Sequence, residues 1–309
     1  MDNRLLKQAA DHALAEAGQS PSRLVLIHNG AAVCVTVAIT VITFFLDRQV
    51  SAAPGLSGLP MRTTLSFIQL LLSLTSALLI PFWELGYQRV ALCHGRKEPA
   101  TAATLLEGFR RFLPSLRLFL LLGAVLLGVG FFCLQAANVI FLFTPFSTGF
   151  MEAANTLMSA EAVLDEAAVY SLIPHMVPMY IIFGILLLAV LVPVLYKYRL
   201  AAWSIMDNAP GALAAMGMSV RAMRHRRWEL FWLDVSFWWF YALQLLIPLL
   251  SYADLLLPYL GINVNSTAAF WICFLAGQGL QLFLAWRFLP RVQTTYALAY
   301  DYLTKPQTP

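Results

Sequence analysis

Six stretches of about twenty apolar residues leave this sequence few ways to fold. They run over roughly 24–46, 64–87, 116–143, 177–196, 229–250 and 268–289. A bilayer's hydrocarbon core is ~30 Å thick and a helix rises ~1.5 Å per residue, so about twenty apolar residues cross it. Within that layer every backbone N–H and C=O must find a partner, which only helices and closed barrels provide. The runs are continuously apolar and do not alternate as barrel strands would, so helices are expected. Composition agrees: 60% of the 309 residues are hydrophobic and 12% charged, about half the charge of an ordinary soluble domain. The expected fold class is all-α: a polytopic transmembrane bundle of six spans, one integral domain over 1–309, with short amphipathic interfacial helices. The first run is too long for a signal-peptide core and lacks a small-residue cleavage site, so it is expected to stay as the first span.

Charge sets the expected threading. Eighteen of the twenty Lys and Arg residues fall in the N-terminal arm, the loops after spans 2 and 4, and the C-terminal flank. Only Arg48 and Arg62 lie on the other side. The positive-inside rule then puts both termini in the cytoplasm. Acidic residues sharpen the contrast, leaving the inner side at +8 and the outer at −4 within the total of +4. This basicity belongs to topology and to anionic leaflets, and no nucleic-acid partner is expected. Trp83, Trp203, Trp228, Trp232 and Trp286 fall near the inner interface, as an aromatic belt does. Trp238 and Trp239 fall near the middle of span 5, too deep for a belt.

Three inner segments read as amphipathic helices. In 2–17, Leu5, Leu6, Ala9, Ala13 and Ala17 share a face. In 101–113, Leu105, Leu106, Phe109, Phe112 and Leu113 oppose Glu107, Arg110 and Arg111. In 207–227, Asp207 or Asn208 is the expected N-cap, with Pro210 in the first turn. A stripe of Leu213, Met216, Val220 and Met223 follows, with a bend expected near 225–227. Such helices lie in the headgroup layer or dock on neighbouring spans. The outer loop 144–175 has no Lys or Arg, and an acidic helix is expected over 149–170.

Chemistry-bearing motifs are sparse. The five histidines form no metal spacing, and the four cysteines no CxxC. There is neither a phosphate-binding loop nor a dinucleotide fingerprint. Gly217–Arg221 begins like a nucleophile elbow, but Arg221 replaces the second glycine. No cofactor is expected. The notable groups are ionisable residues in or beside the spans, which are costly there and are usually paired or functional. Glu84 and Asp234 are the acids, and Arg117, Arg199 and Arg287 bases of the same layer. They form a candidate intramembrane polar site. Arg110, Arg111, Arg221, Arg224, Arg226, Arg227 and Trp228 form a candidate surface for lipid or a partner. Gly123 and Gly130 are expected to allow close helix contact, and Pro81, Pro193 and Pro248 to kink their spans.

Three blocks carry a resemblance: "PFWELGYQRVAL…LLEGFRRF", "RLAAWSIMDNAPGALAAMGMSVRAMRHRRWELFWLDVSF" and "LPRVQTTYALAYDYL". In order and spacing they resemble an uncharacterised family of bacterial six-span integral membrane proteins. A fainter similarity is to the membrane portion of some glycerophosphodiester phosphodiesterases. The resemblance implies a multi-pass protein of the bacterial cytoplasmic membrane and no particular activity. Two functions stay open. One is a non-enzymatic component whose basic face binds anionic inner-leaflet lipid, a partner protein or another copy. The other is a transporter or channel for a small or lipidic solute, using Glu84 and Asp234. An intramembrane enzyme is a third, without a recognisable catalytic set.

Overall fold

The computed structural model describes residues 2–17, 21–52, 59–159, 166–208, 211–251 and 266–304. Every regular element among them is helical. The helices are α1 (Asn3–Glu16), α2 (Pro21–Ala52), α3 (Leu59–Gly95), a 3-10 turn (Ala102–Leu106), α4 (Glu107–Arg110) and α5 (Phe112–Leu142). Then come α6 (Phe146–Ser159), α7 (Glu166–Tyr198), α8 (Ala201–Asp207), α9 (Ala212–Ala222), α10 (Arg227–Val235), α11 (Trp238–Ser251) and α12 (Ser266–Thr304). Five stretches are long and apolar enough to cross a membrane: Pro21–Leu46, Thr63–Gly95, Phe112–Leu142, Pro174–Asp207 and Thr267–Thr304. The architecture is that of a helical membrane protein.

The fifth apolar run departs from expectation. Instead of one helix over 229–250 it forms α10 and α11, bent by 62° at Ser236–Phe237. Ser236 Oγ donates to the Leu233 carbonyl at 2.5 Å, and Phe237 N–H reaches the Asp234 carbonyl at 2.9 Å. These short-range bonds tighten the turn and end α10. With 14 residues, α11 is only ~21 Å long, short of the ~30 Å core. A sixth crossing therefore exists only if α10 and α11 count together.

The chain divides into two compact units, Met1–Ser115 with Leu200–Pro309, and Leu116–Arg199. In the first, α12 packs against α1, α2, α3 and α11. Burial along α3 changes abruptly. Phe67, Leu70, Leu74 and Ile80 are exposed, whereas Phe82, Leu85, Tyr87, Val90 and Leu92 are buried. The buried half is wrapped by the 3-10 turn, α4 and α8. That collar demands glycine at two points. A β-carbon on Gly86 would collide with the Leu105 carbonyl, and one on Gly108 with the Phe82 carbonyl. Helix and collar thus meet backbone to backbone.

The collar corrects two expected amphipathic helices. Segment 101–113 is broken into a 3-10 turn and the single turn α4, with Arg111 outside helical geometry at φ −96°, ψ 33°. In 207–227, Asp207 ends α8 instead of starting a helix, and Gly211 precedes α9. Pro210 lies outside the described residues. The bend near 225–227 is present, with His225 at φ 64°.

In the second unit α6 packs on α7, with Gly149 against the His175 ring. The helix expected over 149–170 is α6 up to Ser159, and α7 begins at Glu166. The part at 160–165 lies outside the described residues. Beside Gly123 and Gly130 there is open space within 4 Å, so neither makes the expected close contact.

Replacing Gly86 or Gly108 by Ala is expected to cost about 1–3 kcal/mol or more. Gly123→Ala should be neutral or slightly stabilising, because the helix gains propensity with no clash. Thermal unfolding of the three purified variants in one detergent checks the ranking.

Candidate functional site

The basic end of the first unit is organised by Arg96, just beyond α3. Its guanidinium holds two carboxylates from elements more than 100 residues away. Nη1 and Nη2 donate to Asp207 at 2.6 and 3.0 Å, and Nε and Nη2 to Asp301 at 3.0 and 2.6 Å. Both pairs are bidentate, the strongest form of this bond. Tyr300 Oη adds a 3.3 Å bond to Asp207. Hydrogen bonds to Asp207, then to Asp301, raise the guanidinium pKa still further above its ordinary value. Arg111 reaches the same helix end, donating to the Ile205 carbonyl and, at 3.2 Å, to that of Asp207. A cation there complements the dipole of α8 and satisfies its last carbonyls.

Helix α1 is tied to this end by three charged residues, Lys7, Asp11 and Glu16. Lys7 Nζ donates to the Ser236 carbonyl at 2.8 Å and lies 4.1 Å from the centre of the Phe237 ring. Partial burial, and then nearby Arg291, lower its pKa from the ordinary lysine value. Asp11 accepts from Arg291 at 2.7 Å, and Glu16 pairs with Lys97 at 2.6 Å. Lys7 therefore caps the break between α10 and α11, where the chain leaves a carbonyl over. Next to it, Asp234 accepts a short hydrogen bond from Tyr296 Oη, which is 2.8 Å from Tyr241 Oη.

A third polar group joins α2 to α3. His28 is fully buried, and its ring stacks between Trp83 at 5.4 Å and Tyr87 at 4.8 Å. Trp83 Nε1 donates to the His28 carbonyl at 2.8 Å. Nε2 lies 3.3 Å from Glu84 Oε1, while the buried Nδ1 meets no hydrogen-bond partner. The Glu84 side chain remains 49% exposed.

The structure separates the arginines singled out in the sequence. Arg111 is committed to α8. Arg226 is half-buried over the Tyr302 ring at 5.6 Å. Arg110, Arg221, Arg224 and Arg227 are exposed, as are Trp228 and Trp232 on α10. None of the ion pairs above uses those four arginines. Asp234 and Glu84 belong to two separate clusters, one at the α10–α11 break and one between α2 and α3. Exposed Arg287 lies 5.7 Å from the Phe288 ring. Arg117 and Arg199 belong to the second unit, where Arg199 lies over Tyr196 at 5.4 Å. Trp203 is no belt residue, being buried and stacked on Tyr300 at 6.4 Å. Trp238 and Trp239 open α11, just past the break in the fifth run; Trp238 is exposed and Trp239 packs edge-on to Phe288 at 4.8 Å. Arg96, Asp207, Asp301 and His28 are the residues that sequence reasoning passed over as site members. Nothing in their local spacing pairs them.

Among the described residues no group of three or more His, Cys, Asp or Glu is placed to hold a metal ion. Compared with models of protein families, with curated proteins and with solved structures, the chain shows no significant match in any of the three. Function must therefore be argued from the site.

Arg96→Gln should lower stability by about 3–5 kcal/mol, because it takes away the cation shared by two neighbouring carboxylates. Arg96→Lys should rescue little, since an ammonium cannot serve two carboxylates bidentately. Unfolding midpoints of both variants check this. The α1 contact is pH-dependent in a defined direction. Its hydrogen bond to Lys97 lowers the Glu16 pKa. That contribution is present above the ordinary carboxylate value of about 4.3 and is lost as pH falls through the lower folded value. Amide exchange in α1 should speed up on acidification below about pH 4, and Glu16→Gln should remove the Glu16-dependent part of that change.

Proposed function

We propose that the chain is a six-crossing protein of the bacterial cytoplasmic membrane, with both termini inside, whose basic end binds anionic lipid headgroups. In this reading α10 and α11 together make the fifth crossing, and the chain is similar to the uncharacterised six-span family named above. The observation that carries the lipid reading is the division of the arginines. Arg96 and Arg111 are consumed in holding the collar together. Arg221 at the end of α9, Arg224 in the link that follows and Arg227 at the start of α10 stay exposed, as do Trp228 and Trp232 on α10. Exposed guanidinium groups next to tryptophan suit a headgroup layer, where the indole sits at the boundary and the charge meets phosphate. A protein partner with an acidic surface is the other occupant of this face, and no catalytic set is required.

Each basic residue near an anionic surface contributes about 1 kcal/mol. The triple change R221Q/R224Q/R227Q should therefore weaken binding to phosphatidylglycerol-containing nanodiscs or micelles by roughly a hundredfold at low salt, and less at physiological salt. Native mass spectrometry of the full chain with added phosphatidylglycerol measures this. Unchanged lipid retention in a correctly inserted variant would rule the reading out.

A second reading, transport of a small or lipidic solute, is favoured by the broken α10–α11 pair. Its break carries a carboxylate, two tyrosine hydroxyls and a lysine, as interrupted helices in transporters carry polar sites. Flux in proteoliposomes that disappears in Asp234→Asn would support it, and no flux over a broad solute panel would remove it.

A further inference from the structure

We propose that Met151, Met176 and Met179, in the second unit, form a site for a soft monovalent metal ion, copper(I) or silver(I). Met176 and Met179 stand three apart near the start of the membrane-length stretch Pro174–Asp207. Residues so spaced on a helix share a face, with β-carbons about 5–6 Å apart. Helix α6 packs on α7 and brings Met151 to the same place. The three side chains line one open-sided cavity of about 250 Å³. Phe141 and Phe150 line it too, edge to face at 6.0 Å. Met151 is exposed, which gives an ion a way in. The two helices are held close by a tight contact, the His175 ring against Gly149, where an added β-carbon would lie 3.0 Å from the ring.

Packing alone does not account for this arrangement. Methionine serves a core by filling irregular gaps, and protein interiors leave few voids larger than a water molecule. Here three methionines surround a gap instead of filling it. Their thioethers are the soft donors the cavity offers. Ser147 also lines it, but its hydroxyl is taken by the Leu142 and Thr144 carbonyls at 3.2 and 2.8 Å. The Asn138 amide, the other polar side chain of the lining, is a hard oxygen donor, the type that suits magnesium or calcium rather than a soft ion.

Ligand type selects the ion. Thioether sulfur is soft and uncharged, and soft sulfur ligands select copper(I). Silver(I), of the same charge and equally soft, is its redox-inert stand-in. Calcium and magnesium need several oxygen ligands, and zinc takes thiolate, imidazole or carboxylate. No group of three or more His, Cys, Asp or Glu is placed to supply those among the described residues. No basic side chain of this stretch opposes entry of a cation: the sequence has no Lys or Arg between Arg117 and Lys197, and Glu152 follows Met151.

The test uses the full chain in detergent, with carbon-13-labelled methionine methyl groups, titrated with silver(I) and followed by NMR. The titration runs past the four equivalents that the cysteine thiols can take. The Met151, Met176 and Met179 methyl signals should move together and saturate, while those of Met206 and Met223, in the first unit, stay in place. Zinc should leave every one of these signals in place. Copper(I), kept reduced with ascorbate under anaerobic conditions, should move the same three as silver(I). Leucine nearly matches methionine in volume, so M176L/M179L keeps the packing and removes two sulfurs. With an unchanged unfolding midpoint, it should raise the silver concentration that moves the Met151 signal by about tenfold or more. Met151→Leu, at the exposed side, should weaken the Met176 and Met179 responses likewise, and decides the matter if the double variant fails to fold. Three signals that stay still, or that move only along with Met206 and Met223, overturn the assignment. So does a full Met151 response to silver in folded M176L/M179L. The lipid reading stands or falls separately, because none of these residues belongs to the arginine face.

Discussion

The basic end of this protein depends on one guanidinium. Arg96 projects from the end of α3 and is held by carboxylates at the end of α8 and late in α12. Those elements are far apart in sequence, so the contact closes long loops. Such closure is favourable only when the bonds made are strong, and a doubly bidentate arginine supplies the strongest available to side chains. Arg111 and Tyr300 secure the same helix end. With α8 fixed, Trp203 is pressed onto Tyr300, and the collar around α3 has a floor.

The collar in turn creates the chemistry. Wrapping α3 from Phe82 onward divides the helix into a part with exposed apolar residues and a part enclosed by protein. Polar groups gather at that division, since a carboxylate buried in lipid would lack partners and one farther out would be dispersed in water. Glu84 with His28 lies there on α3. Asp234 with Tyr296 lies at the break between α10 and α11, which Lys7 caps from α1. Both sites join elements distant in sequence, and both are made rigid by aromatic rings.

Much of the fold was legible because membrane helices announce themselves: continuous apolar runs have one solution in lipid. The runs around 24–46, 64–87, 116–143, 177–196 and 268–289 each lie within or overlap a helix long enough to cross. The fifth was misjudged as continuous because apolar character does not register a turn. Ser236 and Phe237 are as acceptable within a helix as at its end. Their local bonds, and a lysine some 229 positions away, decide the matter. Asp207 misled for a related reason. An aspartate before Pro210 is a fair helix cap in isolation, but its carboxylate gains more from Arg96.

The sequence by itself determined the all-helical class, the approximate place of five membrane-length helices and the concentration of positive charge in a few segments. These follow from hydropathy and charge, which are sums over local residues. Tertiary structure alone decided which arginines are spent and which remain exposed, where the fifth run breaks, and that His28 rather than another arginine faces Glu84. Each of those depends on side chains meeting across long sequence separations, where hydrogen-bond geometry and burial select among partners that composition makes equivalent.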